Sequence, residues 1–378
     1  MRVPSATPPR SKLIRPARSY KNMQIGRYQL PNAVFVAPMA GVTDRPFRRL
    51  CRALGAGYAV SEMAASNPKL WDSVKTTRRI DHQGEIAPRA VQLAGGDAAM
   101  LAQAARFNVQ HGAQIIDINM GCPARKVCNV AAGSALMADE PKAVAIVEAV
   151  VNAVGRGPDA VPVTVKMRTG PAPQCRNAVR LATQFVDAGA AMITVHGRTR
   201  ACAFRGEAEY ETIAAVKAAL SGRRGVPVVA NGDIRTPRQA QQVLRKTGAD
   251  AVMIGRAAQG RPWIFREINA FLERGAVIDP PTLDEVYALM TEHLLDHYHF
   301  YGELTGVRTA RKHLAWYSQH WPNGAALRTQ FNPLETPEEQ LALLERWFSQ
   351  AISDAPQASA GTPTEAPEPL LPNHHAAS

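Results

Sequence analysis

Ile115-Ile116-Asp117-Ile118-Asn119-Met120-Gly121-Cys122-Pro123 is the stretch around which the chain is read. Ile115, Ile116 and Ile118 are β-branched and apolar, the composition of a parallel strand covered on both faces. The run passes straight into Gly121-Cys122-Pro123. Glycine opens backbone angles that other residues avoid and proline fixes one, so together they can aim the thiol between them. A thiol held at the mouth of a sheet is placed to give or take a proton. A small buried core cysteine is the alternative, and the commoner fate of a free thiol. The stretch alone leaves both open.

Working outward, the same kind of run recurs. Val34-Phe35-Val36-Ala37, Tyr58-Ala59-Val60 and Ala90-Val91-Gln92-Leu93 precede it. Val163-Thr164-Val165-Lys166, Met192-Ile193-Thr194-Val195, Val226-Pro227-Val228-Val229 and Ala251-Val252-Met253-Ile254 follow it. Between them lie segments such as Pro141 to Ala153, with apolar residues at helical spacing. Gly57, Gly112-Ala113, Gly189-Ala190, Gly225-Val226 and Gly248-Ala249 stand before strands, as helix stops that feed them. Eight strand–helix units in roughly 230 residues predict an α/β fold, a (β/α)8 TIM barrel. A doubly wound sheet is the alternative, but no G-x-G-x-x-G follows the first strand. After Arg261-Pro262 the strand runs stop, and Trp263 to Ala351 shows only helical periodicity. The expected organisation is a disordered basic arm (1–22), a barrel (23–262), a small helical domain (263–351) and a disordered Pro/Ala-rich tail (352–378).

Composition sets limits. The chain has 378 residues, 46% of them hydrophobic, enough for a large core. No apolar run reaches the roughly 18 residues of a membrane span, and no secretory h-region is evident. Five scattered cysteines give no disulfide framework and no C-x-x-C metal pair. A reduced, cytoplasmic, monomeric protein without membrane or metal is expected. The net charge is +12, concentrated in residues 1–261, while 262–378 is net acidic. A basic body predicts a polyanionic partner, with nucleic acid favoured over a mere aid to solubility.

In a barrel the active site is built at the carboxyl ends of the strands. Those ends read Pro38-Met39-Ala40-Gly41, Gln92, Asn119 and Cys122, Lys166-Met167-Arg168, His196-Gly197-Arg198, Asn231-Gly232-Asp233 and Gly255-Arg256. Nearly every strand delivers a polar or very small group to one rim. Barrels often bind phosphate after strands seven and eight, where the glycines admit backbone N–H groups and Arg256 can fork onto an anion. Lys166 could form a Schiff base, or its charge could stabilise an electron-rich ring. His196 could meet a phosphate, a base edge or a ring carbonyl.

These residues resemble the tRNA-dihydrouridine synthases. The resemblance rests on Ala37-Pro38-Met39-Ala40-Gly41-Val42-Thr43-Asp44, Asn119-Met120-Gly121-Cys122-Pro123, Lys166-Met167-Arg168-Thr169-Gly170 and His196-Gly197-Arg198-Thr199-Arg200. It continues in Ala230-Asn231-Gly232-Asp233-Ile234 and Met253-Ile254-Gly255-Arg256-Ala257. Asn119 to Met137 is similar to the bacterial synthase B branch. The resemblance spans roughly Met23 to Gln350. It implies a barrel holding FMN, a helical tRNA-binding domain, and NADPH-driven reduction of a D-loop uridine, position 17, to 5,6-dihydrouridine. In that scheme flavin N5 delivers hydride to C6, and Cys122 protonates C5. Pro38, Met39 and Ala40 would line the flavin ring, and Gln92 and Lys166 would bond its polar edge. His196, Asn231, Gly232, Asp233, Gly255 and Arg256 would bind its ribityl phosphate region. A flavin dehydrogenase for a small pyrimidine, or a non-catalytic tRNA-binding protein, are the alternatives.

For tRNA, the candidates are Asn119, Arg168 and Arg198 at the rim, with Arg308, Arg311 and Lys312 at i, i+3 and i+4 on one helix face. Arg45, Arg48 and Arg49 are further candidates. His293 and His297, at i and i+4, could share a metal, but no third ligand is evident in the sequence, and none is expected.

Overall fold

The computed structural model describes residues 23–354 except Val130 and Arg224. The N-terminal arm and the tail beyond Asp354 lie outside the described residues. Two short strands come first: β1 (Met23–Ile25) and β2 (Tyr28–Leu30), an antiparallel hairpin. Eight parallel strands then close a barrel. They are β3 (Val34–Val36), β4 (Tyr58–Ala65), β5 (Ala90–Ala94), β6 (Ile115–Met120), β7 (Val163–Arg168), β8 (Met192–His196), β9 (Val228–Asn231) and β10 (Ala251–Ile254). Each pairs with the next and β10 closes onto β3, the geometry of a (β/α)8 barrel.

The alternation along each strand sorts the chemistry. On β6, Ile116, Ile118 and Met120 face the surrounding helices and pack with Leu101, Ile146 and Val150. The residues between them, Ile115, Asp117 and Asn119, therefore face the barrel axis. On β7 the outward set is Val163, Val165 and Met167, which leaves Thr164, Lys166 and Arg168 inside. Cross-strand register places Asp117 beside Gln92, Asn119 beside Lys166, and His196 beside both Arg168 and Asn231. The lower interior is apolar, and the polar groups rise toward the carboxyl rim.

The hairpin was not anticipated from the sequence. Met23, Ile25 and Leu30 close the amino end of the barrel against Phe35, Tyr58, Ile115, Met192 and Val229. The seventh barrel strand runs Val228–Asn231, two residues later than expected, because Pro227 has no N–H to donate to a ladder. Helix Ile264–Arg274 lies just past the expected domain limit at 262/263. Its Ile264, Phe265, Ile268 and Leu272 join the barrel core, so the barrel's own packing continues past Pro262.

A second core belongs to helices Leu283–Tyr301, Glu303–Tyr317, Gly324–Phe331 and Pro337–Ser353, around Met290, Leu294, Leu314, Phe331 and Phe348. This helical part leans on the first barrel helix, Arg45–Ala53. Arg49 pairs with Asp296 at 2.7 Å, and Tyr301 Oη donates to Asp44 Oδ2 at 3.0 Å. No described helix is long and apolar enough to cross a membrane.

Candidate active site

A cavity of about 610 Å³ opens at the carboxyl rim, within the usual size of a small-molecule site. Pro38, Met39 and Ala40 border it after β3, Gln92 on β5, and Asn119 and Cys122 at the end of β6. Lys166 and Arg168 reach it from β7, and His196 from β8. Asn231, Gly232 and Asp233 after β9 and Gly255 and Arg256 after β10 close it where those two neighbouring strands end.

Lys166 is half-buried, and its ammonium donates to Asn231 Oδ1 at 2.9 Å; Asn231 in turn donates to the Met253 carbonyl at 2.8 Å. Burial, aided by Arg168, pulls the ammonium down to about 8. It is therefore mostly charged near neutral pH and retains donors beyond the one spent on Asn231. The buried carboxyl of Asp117 is pushed up to about 6 by burial, against hydrogen bonds from Thr164 and Gln92 and the nearby Lys166 charge.

Cys122 is half-buried, and burial raises its thiol above the ordinary range. At neutral pH it carries its proton, the state a proton donor needs and a thiolate nucleophile lacks. Its loop is fixed from several directions. Asn119 Oδ1 accepts from the Gly121 and Cys122 amides at 3.1 and 3.0 Å. Ser134 Oγ donates to the Cys122 carbonyl at 2.8 Å. Gly133 comes so close that an added Cβ would stand 2.8 Å from the Cys122 carbonyl oxygen, at a φ of +60°.

The opposite corner is cationic. Asp233 accepts from both terminal nitrogens of Arg198, at 3.0 and 2.6 Å, and from Arg256 at 3.3 Å. Burial opposes ionisation of Asp233, but these guanidinium groups and the Ala208 amide hold it below its usual value. Its side chain thus aims cations rather than meeting an anion itself. Gly232 admits no side chain, since a Cβ would lie 2.7 Å from Ala208 Cβ and 2.9 Å from His196 Cδ2. Burial and then Lys166, Arg168, Arg198 and Arg256 press the His196 imidazole down to about 2, so it is neutral.

The arginines expected at the nucleic acid are placed otherwise. Arg168 and Arg198 are 2% and 4% exposed. Arg168 donates to the carbonyls of Gly121, Thr199 and Ala203, bracing the cysteine loop against the loop after β8. Arg198 is spent on Asp233 and the Gly206 carbonyl. Arg45 and Arg48 are likewise buried, paired with Asp81 and Glu85. The proposed basic face on helix Glu303–Tyr317 divides. Arg308 is exposed, Arg311 reaches the Leu334 carbonyl at 3.4 Å, and Lys312 donates to the Gly41 carbonyl beside the cavity at 2.6 Å. His297 gains buried neighbours in space, Asp44 and His313, with one ligand-capable atom from each of the three within 4.8 Å of the others. Ligand atoms around a tetrahedral zinc lie roughly 3.3 Å apart, and Asp44 already accepts from Phe47 N and Tyr301 Oη.

With this geometry in hand, comparison with known proteins is decisive. The family model described as "Dihydrouridine synthase (Dus)" matches residues 35–354. The chain belongs to the dihydrouridine synthase family. Its curated relatives in that family include the "tRNA-dihydrouridine synthase B" of Pseudomonas aeruginosa, 54% identical over 328 residues, covering 87% of this chain and 96% of that one. The protein of the same name from Vibrio cholerae is 52% identical over 331 residues, 88% of this chain and 100% of that one. Among solved structures, histamine dehydrogenase from Rhizobium sp. 4-9 matches with a TM-score of 0.51 at 14% identity, over 73% of this chain and 50% of that one. 6-Hydroxypseudooxynicotine amine oxidase from Pseudomonas geniculata N1 matches at 0.52 and 15%, over 73% and 52%. At such identities the likeness is one of fold.

Two features of this synthase-family site, Phe204 on the cavity and Asp117 buried behind Gln92, are not picked out from the sequence. Phe204, 58% exposed, lies at the rim with the Arg168 and Arg256 guanidinium groups each 5.5 Å from its ring. It sits in an irregular loop, and the only available signal was an aromatic in the long connection after β8. Asp117 had a clearer signal, a charge inside an otherwise apolar strand.

Proposed function

We propose that the chain reduces a uridine in tRNA to 5,6-dihydrouridine, with FMN as bound cofactor and NADPH as reductant. The observation that carries this reading is the meeting of a protonated thiol, Cys122, with Lys166, Gln92 and a cationic glycine-rich corner around one cavity. The donor set fits a flavin. Pro38, Met39 and Ala40 offer a low wall for a flat ring. Gln92 and Lys166 have spare donors for a polar ring edge, and the Lys166 charge favours an electron-rich ring. Gly232, Gly255 and Arg256 suit a phosphate, with His196 neutral beside them.

Bound FMN would supply hydride for C6 of the target uracil. Cys122 then gives its proton to C5, which quenches the enolate-like charge; a positioned acid of this kind contributes roughly 10²- to 10⁴-fold. Asn119 holds the amide backbone on which that thiol stands. The target base must leave its stack at a cost of a few kcal/mol, offset by stacking within the cavity, where Phe204 is a ready surface. The uridine is assigned to D-loop position 17, as the resemblance to the synthase B branch implies. The exposed Arg308 and the basic body provide for phosphate contacts, and tRNA shape selects the site. Denaturing the purified protein should release FMN at about one per chain, and NADPH should bleach the flavin colour in the intact protein. A colourless protein that still binds tRNA would overturn the reading.

A further inference from the structure

We propose that Asp117 is a positioning residue for this reaction, the anchor of a buried hydrogen-bond relay that fixes the backbone of the Cys122 loop. The inference rests on the function proposed above for the reaction it serves, but its geometry stands independently. Asp117 Oδ1 accepts from Thr164 Oγ1 at 2.5 Å, and Asp117 Oδ2 from Gln92 Nε2 at 2.7 Å. Gln92 Oε1 accepts from Asn119 Nδ2 at 2.7 Å. Asn119 Oδ1 accepts the Gly121 and Cys122 amides at 3.1 and 3.0 Å. All four side chains are buried.

The direction of the relay follows from its two ends. Backbone N–H groups can only donate, so the Asn119 oxygen must face them and its NH₂ must face Gln92. Gln92 then presents its oxygen to Asn119 and its NH₂ to Asp117, which has to be an acceptor. A carboxylate meets that need. Without an acceptor at position 117, the buried Gln92 NH₂ loses its partner. Flipping the amide does not help, because it sets two NH₂ groups face to face. Gln92 is then held only through Asn119 and is free to shift, which loosens the Asn119 amide and its grip on the two backbone N–H groups that anchor the thiol loop. The relay thus transmits the choice of residue 117 to the aim of the Cys122 side chain, with the side-chain amides of Gln92 and Asn119 between them.

Two variants separate orientation from charge. Asp117→Asn keeps an acceptor for Gln92 and turns its NH₂ to the Thr164 hydroxyl, which can accept. Asp117→Leu keeps the approximate shape and removes the acceptor. With the purified holoprotein, NADPH reduction of the flavin should stay within about threefold in Asp117→Asn, and in Asp117→Leu, where Gln92 at the ring edge is also loosened, should fall less than re-oxidation by tRNA does. Re-oxidation by tRNA should fall about tenfold or more in Asp117→Leu with the tRNA KM unchanged, and recover to within about threefold in Asp117→Asn. The rate at which iodoacetamide alkylates Cys122, followed on its peptide by mass spectrometry, should change in Asp117→Leu and hold in Asp117→Asn.

A wild-type rate of tRNA reduction in Asp117→Leu would overturn the relay. So would a tenfold loss in Asp117→Asn, a result that also decides the matter if the leucine variant does not fold. If tRNA never re-oxidises the wild-type protein, the proposed function falls, and Cys122 alkylation still tests the relay.

Discussion

Cys122 is poised as an acid because burial holds its proton on at neutral pH. Replacing it with alanine is expected to leave flavin content and NADPH reduction intact, and to slow dihydrouridine formation by roughly 10²- to 10⁴-fold. Single-turnover kinetics check this, and a wild-type rate would remove the thiol from the mechanism. Asp117 makes a second expectation at this scale. Its folded value of about 6 lies above the ordinary 3.8. A raised carboxyl contributes full stability below the unfolded value and loses it as pH rises through the folded one. Asp117→Asn should therefore stabilise the protein at pH 7.5 by about 1–3 kcal/mol, with the gain fading near pH 4. Chemical denaturation at the two pH values reads this directly. The residues legible in the sequence are those placed by strand position, such as Gln92, Lys166 and His196, because strand ends converge in any barrel of this kind. The burial of Arg168 and Arg198 is not legible in the sequence, because the loop that covers them, Thr199 to Gly206, has no periodicity to announce its course.

The barrel strands were legible as elements because both faces are covered, so that each reads as an apolar run of its own. The β1–β2 hairpin was not. Its strands are three residues long, too short for a period to show, and its burial depends on the barrel mouth it fills. Leu30, 1% exposed, is the deepest side chain of β2. Leu30→Ala should cost about 2–5 kcal/mol in stability, as for other buried leucines, and leave the flavin stoichiometry of the folded fraction unchanged. Equal stability to the wild type would show that the plug is dispensable. The packing of helix Ile264–Arg274 on the barrel is hidden in the sequence for a related reason. Helical periodicity identifies an apolar face but does not say which core receives it. The helical part itself reaches the loop that borders the cavity through Lys312 and the Gly41 carbonyl, a link that joins two segments 271 positions apart and that no local pattern could disclose.

The whole molecule is a basic body with a net charge of +12 and a deep site at one rim. Its hold on tRNA should weaken by roughly tenfold or more between 50 and 200 mM salt, as phosphate contacts compete with counterions. Arg308→Glu should weaken it further and flatten that dependence; an unchanged salt slope would place the RNA elsewhere. The central claim is that one cavity passes hydride from a nicotinamide, through a flavin, to a uridine presented by tRNA. The most direct measurement mixes NADPH-reduced protein, without oxygen, with tRNA lacking dihydrouridine and follows flavin colour and RNA mass together. The account predicts that the colour returns as one D-loop uridine, at position 17, gains two mass units, and that free uridine or another small pyrimidine leaves the flavin reduced. Return of the colour with a small pyrimidine as fast as with tRNA, or with no change in RNA mass, would contradict it.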